Sequence, residues 1–277
     1  MMDDSAAQYV VQQRFSYVYP GPIKNLRHRL LVSPLDRDDG QRRLQRRLRI
    51  SPDVRAVDST DAFGNDVVDF DAKRIEGRLD IEFESLVERR SGFEFRRVDP
   101  RWLTDPLFRS HTALTFPNAA IRLAALKLKR QSANDAELVA SINTFVFERM
   151  AYHKDVTSVT TTAAQAFRLR AGVCQDYAHI GIALARACGF AARYVSGHLL
   201  GEGGTHAWLE IILPLEDGDG AVAWPFDPTH NRHESLDYIA VAIGRDYRDV
   251  APTSGTFEAP YNGALTCMKV VRRLPAA

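Results

Sequence analysis

Gly172-Val173-Cys174-Gln175-Asp176-Tyr177-Ala178-His179 is the stretch whose reading decides the fold. The residues after it, Ile180 to Cys188, form an apolar helical run that stops at Gly189. A cysteine in the first turn of such a helix faces unpaired backbone N–H groups and the positive end of the helix dipole. Both favour an anion, and the thiolate is the reactive form of cysteine. A free thiol has an unperturbed pKa of about 8.5, so it is mostly protonated in neutral water. Two candidate partners lie downstream in strand-like runs. His206 sits in Thr205-His206-Ala207-Trp208-Leu209-Glu210, and Asp227 in Trp224-Pro225-Phe226-Asp227-Pro228-Thr229. An imidazole can complete the deprotonation and then protonate a leaving amine. A carboxylate can fix the imidazole tautomer and favour its charged form. The three together form a set for nucleophilic attack on amide bonds. The Cys174 N–H is a ready oxyanion donor, and Gly172 allows close backbone approach to a substrate.

The flanking sequence reads as helices followed by an antiparallel sheet. Asn118 to Lys129, Asp135 to Met150 and Ala163 to Arg170 carry helical periods, and Ser132 or Asn134 can cap the second. Ala191 to Leu200, Ala207 to Leu213 and Ala221 to Phe226 read as strands, with Asp217-Gly218-Asp219-Gly220 as a hairpin turn between the last two. Ala264 to Leu274 is expected as a closing strand. Residues 99 to 118 carry three prolines and read as a connection. Residues 8 to about 90 show closely spaced strands with turn punctuation, which suggests an antiparallel sandwich. Leu79, Ile81 and Phe83 share one face there, and Leu44, Leu48 and Ile50 share another parity. The expected fold class is α+β, divided into a β-sandwich over 1–95 and a linker plus core over 96–277, the core starting near 115.

Bulk composition narrows the functions. The chain has 277 residues with 36 basic and 35 acidic side chains, so no net field draws it to nucleic acid or anionic lipid. No run of about 18 apolar residues suggests a membrane span. Three cysteines are too few for a disulfide framework, and Cys188 and Cys267 read as packing residues. The start, Met1-Met2-Asp3-Asp4-Ser5, is unlike a secretory signal, and a cytoplasmic location is the expectation. Arg42 to Arg49 is basic, but Asp36, Asp38, Asp39 and Asp53 flank it, as on a solvated strand face. His230 and His233 with His198 or His206 fall short of a zinc ligand set, and Asp217 to Gly220 is too short for a calcium loop. No metal or cofactor is expected. Gly201-Glu202-Gly203-Gly204 lacks the lysine and spacing of a phosphate loop and reads as a mobile loop ahead of His206.

The Cys174, His206 and Asp227 blocks, together with Ala192-Arg193-Tyr194-Val195-Ser196-Gly197, resemble the bacterial transglutaminase-like proteins of the papain-like superfamily. Val241 to Pro252 is similar to a further block of that family. The N-terminal region, with its Phe63-Gly64-Asn65 turn, resembles the β domain that precedes the core. The resemblance implies a papain-like core in which a helix delivers the thiol against a sheet carrying His and Asp. It implies Cys174 as nucleophile, His206 as base and acid, and Asp227 as orienting carboxylate. Gln165, nine positions before Cys174, is a candidate oxyanion donor, with a solvent-facing helix residue as the alternative. Trp208 and Asp176 are candidates for the substrate groove, as is Trp224. Core packing for the tryptophans and helix capping for Asp176 explain them as well. The implied function is a thioester-forming cysteine enzyme acting on a peptide or protein substrate, by hydrolysis or by transfer to an amine. The alternative is a catalytically silent binding or scaffold module. A partner protein could be recognised through the β domain.

Overall fold

The computed structural model describes residues 6–37, 40–91, 96–215, 218 and 220–275. The N-terminal half runs β1 (Ala6–Val18), β2 (Ile23–Leu30), β3 (Gln41–Ser51), β4 (Ala56–Thr60), β5 (Asp66–Ile75), β6 (Arg78–Arg90) and β7 (Arg96–Val98). A short 3-10 turn at Pro100–Leu103 leads into α1 (Pro106–Arg109), α2 (Ala119–Gln131), α3 (Asp135–Arg149), β8 (Ala151–Tyr152), α4 (Ala163–Leu169) and β9 (Ala171–Gly172). Then follow α5 (Cys174–Cys188), β10 (Ala191–Leu199), β11 (His206–Pro214), β12 (Ala221–Phe226), β13 (Tyr238–Gly244), α6 (Tyr247–Val250), β14 (Thr253–Glu258) and β15 (Ala264–Arg273).

Two four-stranded sheets, ordered β15-β1-β6-β3 and β14-β2-β5-β4, form the sandwich. Period-two patterning builds it. Along β6, Leu79, Ile81, Phe83 and Val87 are buried and their neighbours are not. Phe15 of the adjacent β1, with Leu26, Leu30 and Phe70 of the facing sheet, completes the core. The segment expected as a closing strand of the second unit is β15, and it pairs instead with β1, from Tyr9 opposite Arg273 to Val18 opposite Ala264. β14 likewise pairs with β2. The C-terminal strands thus complete the N-terminal sandwich, so a clean division at 95/96 does not describe the strand pairing. Strand partners far apart in sequence leave no local signal, so the sequence alone does not reveal the pairing of β15 with β1. β3 carries a second departure. A bulge between Arg43 and Gln45 leaves Leu44 unpaired and exposed, while Leu48 and Ile50 pack on the sandwich core. The basic residues of β3 face carboxylates: Arg46 pairs with Asp58 at 2.7 Å, Arg43 with Asp66, and Arg47 lies opposite Glu84.

The second unit is an antiparallel sheet ordered β13-β10-β11-β12-β7, covered by helices. Helix α5 lies at its centre, buried on nearly every side, and packs on β10 and β11 with α2, α3 and α4 against its outer face. At Gly181 a Cβ would come within 3.1 Å of Leu209, so this glycine sets how closely helix and sheet approach. The helix ends at Gly189 in the left-handed region, φ 100°, whose N–H satisfies the Ala185 and Arg186 carbonyls. The Arg186 guanidinium anchors that end by donating to the carbonyls of Phe108 (2.9 Å), Ala192 (2.8 Å) and Arg245 (3.0 Å). The helix periods appear as expected: Asn118 caps α2, Asn134 caps α3 by accepting from Glu137 N–H at 2.9 Å, and Ser132 ends α2. Of the expected Asp217 to Gly220 turn, Asp217 and Asp219 lie outside the described residues. Gly218 and Gly220 are each linked by a backbone hydrogen bond to Leu215.

Side-chain amides join the two units. Gln41 brackets Ala240 of β13, donating to its carbonyl at 2.8 Å and accepting from its N–H at 2.9 Å. Asn65, from the Phe63-Gly64-Asn65 turn, does the same to Ile243, at 2.7 Å in each direction. Each amide copies a strand neighbour and covers the free edge of β13. A buried ion network also crosses the joint. Glu210 takes Arg193 at 2.5 Å and Arg96, while Glu234 takes Arg96 and Arg89 of β6. Among the described residues no helix is long and apolar enough to cross a membrane.

Candidate active site

Three elements deliver the expected side chains. Cys174 is the first residue of α5, partly exposed, while Cys188 is buried at the far end of that helix and Cys267 is exposed on β15. His206 opens β11 and is 1% exposed, and Asp227 follows β12 and is fully buried. β11 and β12 are adjacent antiparallel strands, with Leu209 opposite Phe226, so the residues beyond these ends meet.

His206 Nε2 donates to Asp227 Oδ2 at 2.8 Å. The same oxygen accepts from His230 Nδ1 at 2.8 Å and from the Tyr238 hydroxyl at 2.6 Å, and Oδ1 accepts from Thr229 N–H at 2.8 Å. Burial opposes ionisation of Asp227, but the hydrogen bonds from His206, His230 and Tyr238 outweigh it and hold the carboxyl below its ordinary range. The imidazole of His206 is buried too, which works against its charge. Asp227, Cys174 and Glu202 outweigh that burial and push it up to about 11. His206 is therefore an imidazolium at neutral pH. The Cys174 thiol is near enough to this ring to contribute to that upward shift. The second ring nitrogen, Nδ1, has Glu202 Oε2 at 3.2 Å. It meets no acceptor at good hydrogen-bond angles, so Glu202 makes a charge contact.

The local sequence explains how the thiol is presented. Asp176, in the first turn of α5, accepts from Val173 N–H at 2.8 Å and from the Thr157 hydroxyl at 2.6 Å through Oδ2. It satisfies one of the orphan N–H groups of the helix start and ties the 153–161 loop to it. Its burial raises its pKa, and the two hydrogen bonds oppose that. A Cβ at Gly172 would fall 2.4 Å from Asp176 Oδ2, so the close approach that requires glycine here is made by Asp176. Asp176 is 1% exposed and cannot line an open groove. Trp208 cannot either. It is fully buried, stacks near His206 with ring centroids 6.1 Å apart, and lies across Gly197, where a Cβ would fall 2.6 Å from its ring. Trp224 is partly buried against the helical core and edge-on to Phe226 and His233. Gln165 is exposed in a capping box at the start of α4, its Oε1 accepting from Thr162 N–H at 2.8 Å and from the Thr162 hydroxyl at 3.0 Å. The candidate oxyanion donor is thus an exposed helix-capping residue, as its Thr-Ala-Ala-Gln spacing signals.

Four further residues belong to the cluster. His230 and Glu202 come from loops, and Tyr238 starts β13. Tyr152 is 47% exposed beside the site, and its hydroxyl is raised by burial and by the charges of Cys174 and Glu202. Only His230 and Glu202 carried a sequence signal: the first among the candidate metal histidines, the second as the one charged residue of its glycine loop. His206, Asp227 and His230 bring ligand-type atoms within 4.8 Å of one another. Those of the two histidines face Asp227 Oδ2, and Tyr238 donates to the same oxygen, so a metal ion would have to displace three hydrogen bonds. His233 instead donates to the Pro225 carbonyl at 3.0 Å, and His198 is buried within β10. A concavity of about 1250 Å3 lies on the β14-β2-β5 face, lined by Arg27, Asp69, Lys73 and Glu258 among others. None of Cys174, His206 and Asp227 lines it, so size does not mark the chemical site here.

Comparison with known proteins agrees with this architecture. Residues 124–228 match the family model of the transglutaminase-like superfamily, and residues 9–88 match that of the bacterial transglutaminase-like N-terminal region. An uncharacterized protein of Mycobacterium leprae is 26% identical over 259 residues, covering 87% of this chain and 90% of that protein. An uncharacterized protein of Mycobacterium tuberculosis is 34% identical over 131 residues, covering 43% of this chain and 41% of that protein. The crystal structure of a candidate cysteine protease from Cytophaga hutchinsonii superposes with a TM-score of 0.75 at 22% identity, over 99% of this chain and 92% of that one. That likeness extends through the β-sandwich, the helices and the sheet, and it is a likeness of fold. The chain belongs to the transglutaminase-like superfamily, with the α+β core of that superfamily joined to a bacterial transglutaminase-like N-terminal β region.

Proposed function

We propose that this protein is a cysteine enzyme that cleaves amide or peptide bonds through a Cys174 thioester. One observation carries the reading. The His206 ring has Nε2 on a buried carboxylate, and Cys174, at a helix start, is among the groups that raise its pKa. In the proposed reaction the Cys174 thiolate attacks the carbonyl carbon and a C–S bond forms. Charge collects on the carbonyl oxygen, which the Cys174 N–H is placed to receive, since a first-turn N–H has no carbonyl partner within its helix. The C–N bond then breaks as His206 gives its Nδ1 proton to the leaving nitrogen. His206, now neutral, takes a proton from water or from an amine. That nucleophile attacks the thioester, the C–S bond breaks, and thiolate and imidazolium return. Water as acceptor gives a peptidase or amidase, and an amine gives an acyl transferase. Asp227 keeps His206 oriented throughout and favours its charged form whenever the ring carries both protons. Peptides or proteins are the substrate class.

Acid-quenched intact-mass measurement tests the thioester. Incubation with a mixture of peptides and activated acyl esters is expected to add one acyl group at Cys174. The adduct should build up in Asp227→Asn, be lost on hydroxylamine treatment and be absent in Cys174→Ala. Acylation that persists in Cys174→Ala would refute the assignment.

A further inference from the structure

Glu202 stands in the turn between β10 and β11, in Leu200-Gly201-Glu202-Gly203-Gly204-Thr205. Its Oε2 lies 3.2 Å from His206 Nδ1 and its Oε1 lies 3.3 Å from His230 Nε2. The opposite nitrogens of both rings, His206 Nε2 and His230 Nδ1, each sit 2.8 Å from Asp227 Oδ2. Two carboxylates and two imidazoles therefore close a ring, and each imidazole lies between two carboxylates. The consequence for His206 is specific. Asp227 holds the nitrogen that orients the ring. Glu202 holds the nitrogen that has to face the thiol and the leaving group in the reaction proposed above. The thiol and Glu202 thus compete for one N–H.

The two carboxylates are held differently. Asp227 is fully buried and makes four hydrogen bonds of good geometry. Glu202 is 34% exposed in its side chain and makes a charge contact at poor angles. The glycines of its turn also face open space. Gly201 has φ +89°, and a Cβ built at Gly201, Gly203 or Gly204 meets nothing within 4 Å. One carboxylate is fixed, and the other can be moved without breaking a core.

We propose that Glu202 is a displaceable positioning residue, one that occupies His206 Nδ1 in the resting protein and yields that nitrogen to Cys174 and substrate during turnover. The proposal deepens the cysteine-enzyme reading and rests on it. While Glu202 is in place, its negative charge opposes a second anion at Cys174 and draws on the same imidazolium. A substrate chain entering over Tyr152 and His230 would push the turn outward and release the nitrogen. The charged and titratable groups around His206 are Asp227, Glu202, Cys174, His230, Tyr238 and Tyr152. Among them Glu202 is the anion that can leave.

The test is the rate of Cys174 alkylation by iodoacetamide between pH 5 and 9, read by peptide mass spectrometry in the full chain. Wild type, Glu202→Gln and Glu202→Ala are compared, each with and without His206→Ala. Removing one charge-assisted contact from the shared N–H is expected to speed labelling about tenfold at pH 6, with the curves converging where the thiol is fully ionised. Melting of the Glu202 variants should change little beside that of Asp227→Asn, because the Glu202 contact is at poor angles and the glycines of its turn face open space. Equal rates in wild type and Glu202→Gln would overturn the proposal. Slower labelling in both Glu202 variants would overturn it as well, since Glu202 would then be supporting the thiolate. If His206→Ala changed the rate in none of the three backgrounds, the imidazole would not serve the thiol, and the reading beneath the proposal would fall first.

Discussion

Asp227→Asn is the substitution whose consequences follow most closely from the geometry. The amide has nearly the volume of the carboxyl but no charge. In the native site Oδ2 takes three side-chain donors and Oδ1 takes the Thr229 N–H. Asparagine has one acceptor oxygen, so its NH2 group must face either Thr229 N–H or the three donors. Breaking a buried charge pair by removing one partner costs about 3–5 kcal/mol, and the retained oxygen argues for the lower end, about 3 kcal/mol. For a chain of this size each kcal/mol moves the melting temperature by about 2–4 °C, so a drop of roughly 6–12 °C is expected. The pH dependence gives the sharper check. Asp227 has a depressed pKa, so its contribution is present above its unfolded value of 3.8 and is lost on acidification below that. His206 rises from 6.5 to about 11, so its contribution is complete below 6.5 and declines as pH climbs toward 11. The melting difference between wild type and Asp227→Asn should be largest near pH 5–6.5 and shrink on both sides. Calorimetric melts from pH 3 to 10 measure it. A difference that is flat across that range, or greatest in alkali, would refute the charge-pair account.

The remaining predictions concern the helix start and its surroundings. Gly172→Ala puts a methyl 2.4 Å from Asp176 Oδ2, so it should cost about 1–3 kcal/mol in a denaturant melt and slow Cys174 labelling by disturbing the first turn. Gln165→Ala removes half of the Thr162 capping box and should cost about 1 kcal/mol while leaving the Cys174 labelling rate unchanged, whereas an oxyanion donor would show its loss in turnover.

Much of the site was legible because local rules wrote it. A thiol before an apolar helix, a glycine after it, and a histidine and an aspartate at opposite ends of adjacent strands each have a signal within a few residues. Gly172 and Gly197 were visible as glycines, but what crowds them, Asp176 and Trp208, is a tertiary fact. Gln165 shows the reverse: a Thr-x-x-Gln spacing states a capping box, and that local rule prevails over a role borrowed from other enzymes. Glu202 and Tyr238 reach His206 and Asp227 through the folded arrangement of a turn and an edge strand, which no window of sequence contains. The pairing of β15 with β1 was hidden for the same reason: the partners stand some 250 residues apart, with a whole unit between them. Asn65 lies between these extremes. Its turn chemistry was evident, but its service as a substitute strand edge for Ile243 was not.

The central claim is that His206 serves the Cys174 thiol. The most direct measurement is the pH profile of iodoacetamide alkylation at Cys174, with Cys188 and Cys267 as internal references, in wild type and in His206→Ala. The expected result is that Cys174 reacts fastest of the three near neutral pH and loses that advantage when the imidazole is removed. Equal rates at all three cysteines, or a Cys174 rate indifferent to His206, would contradict it.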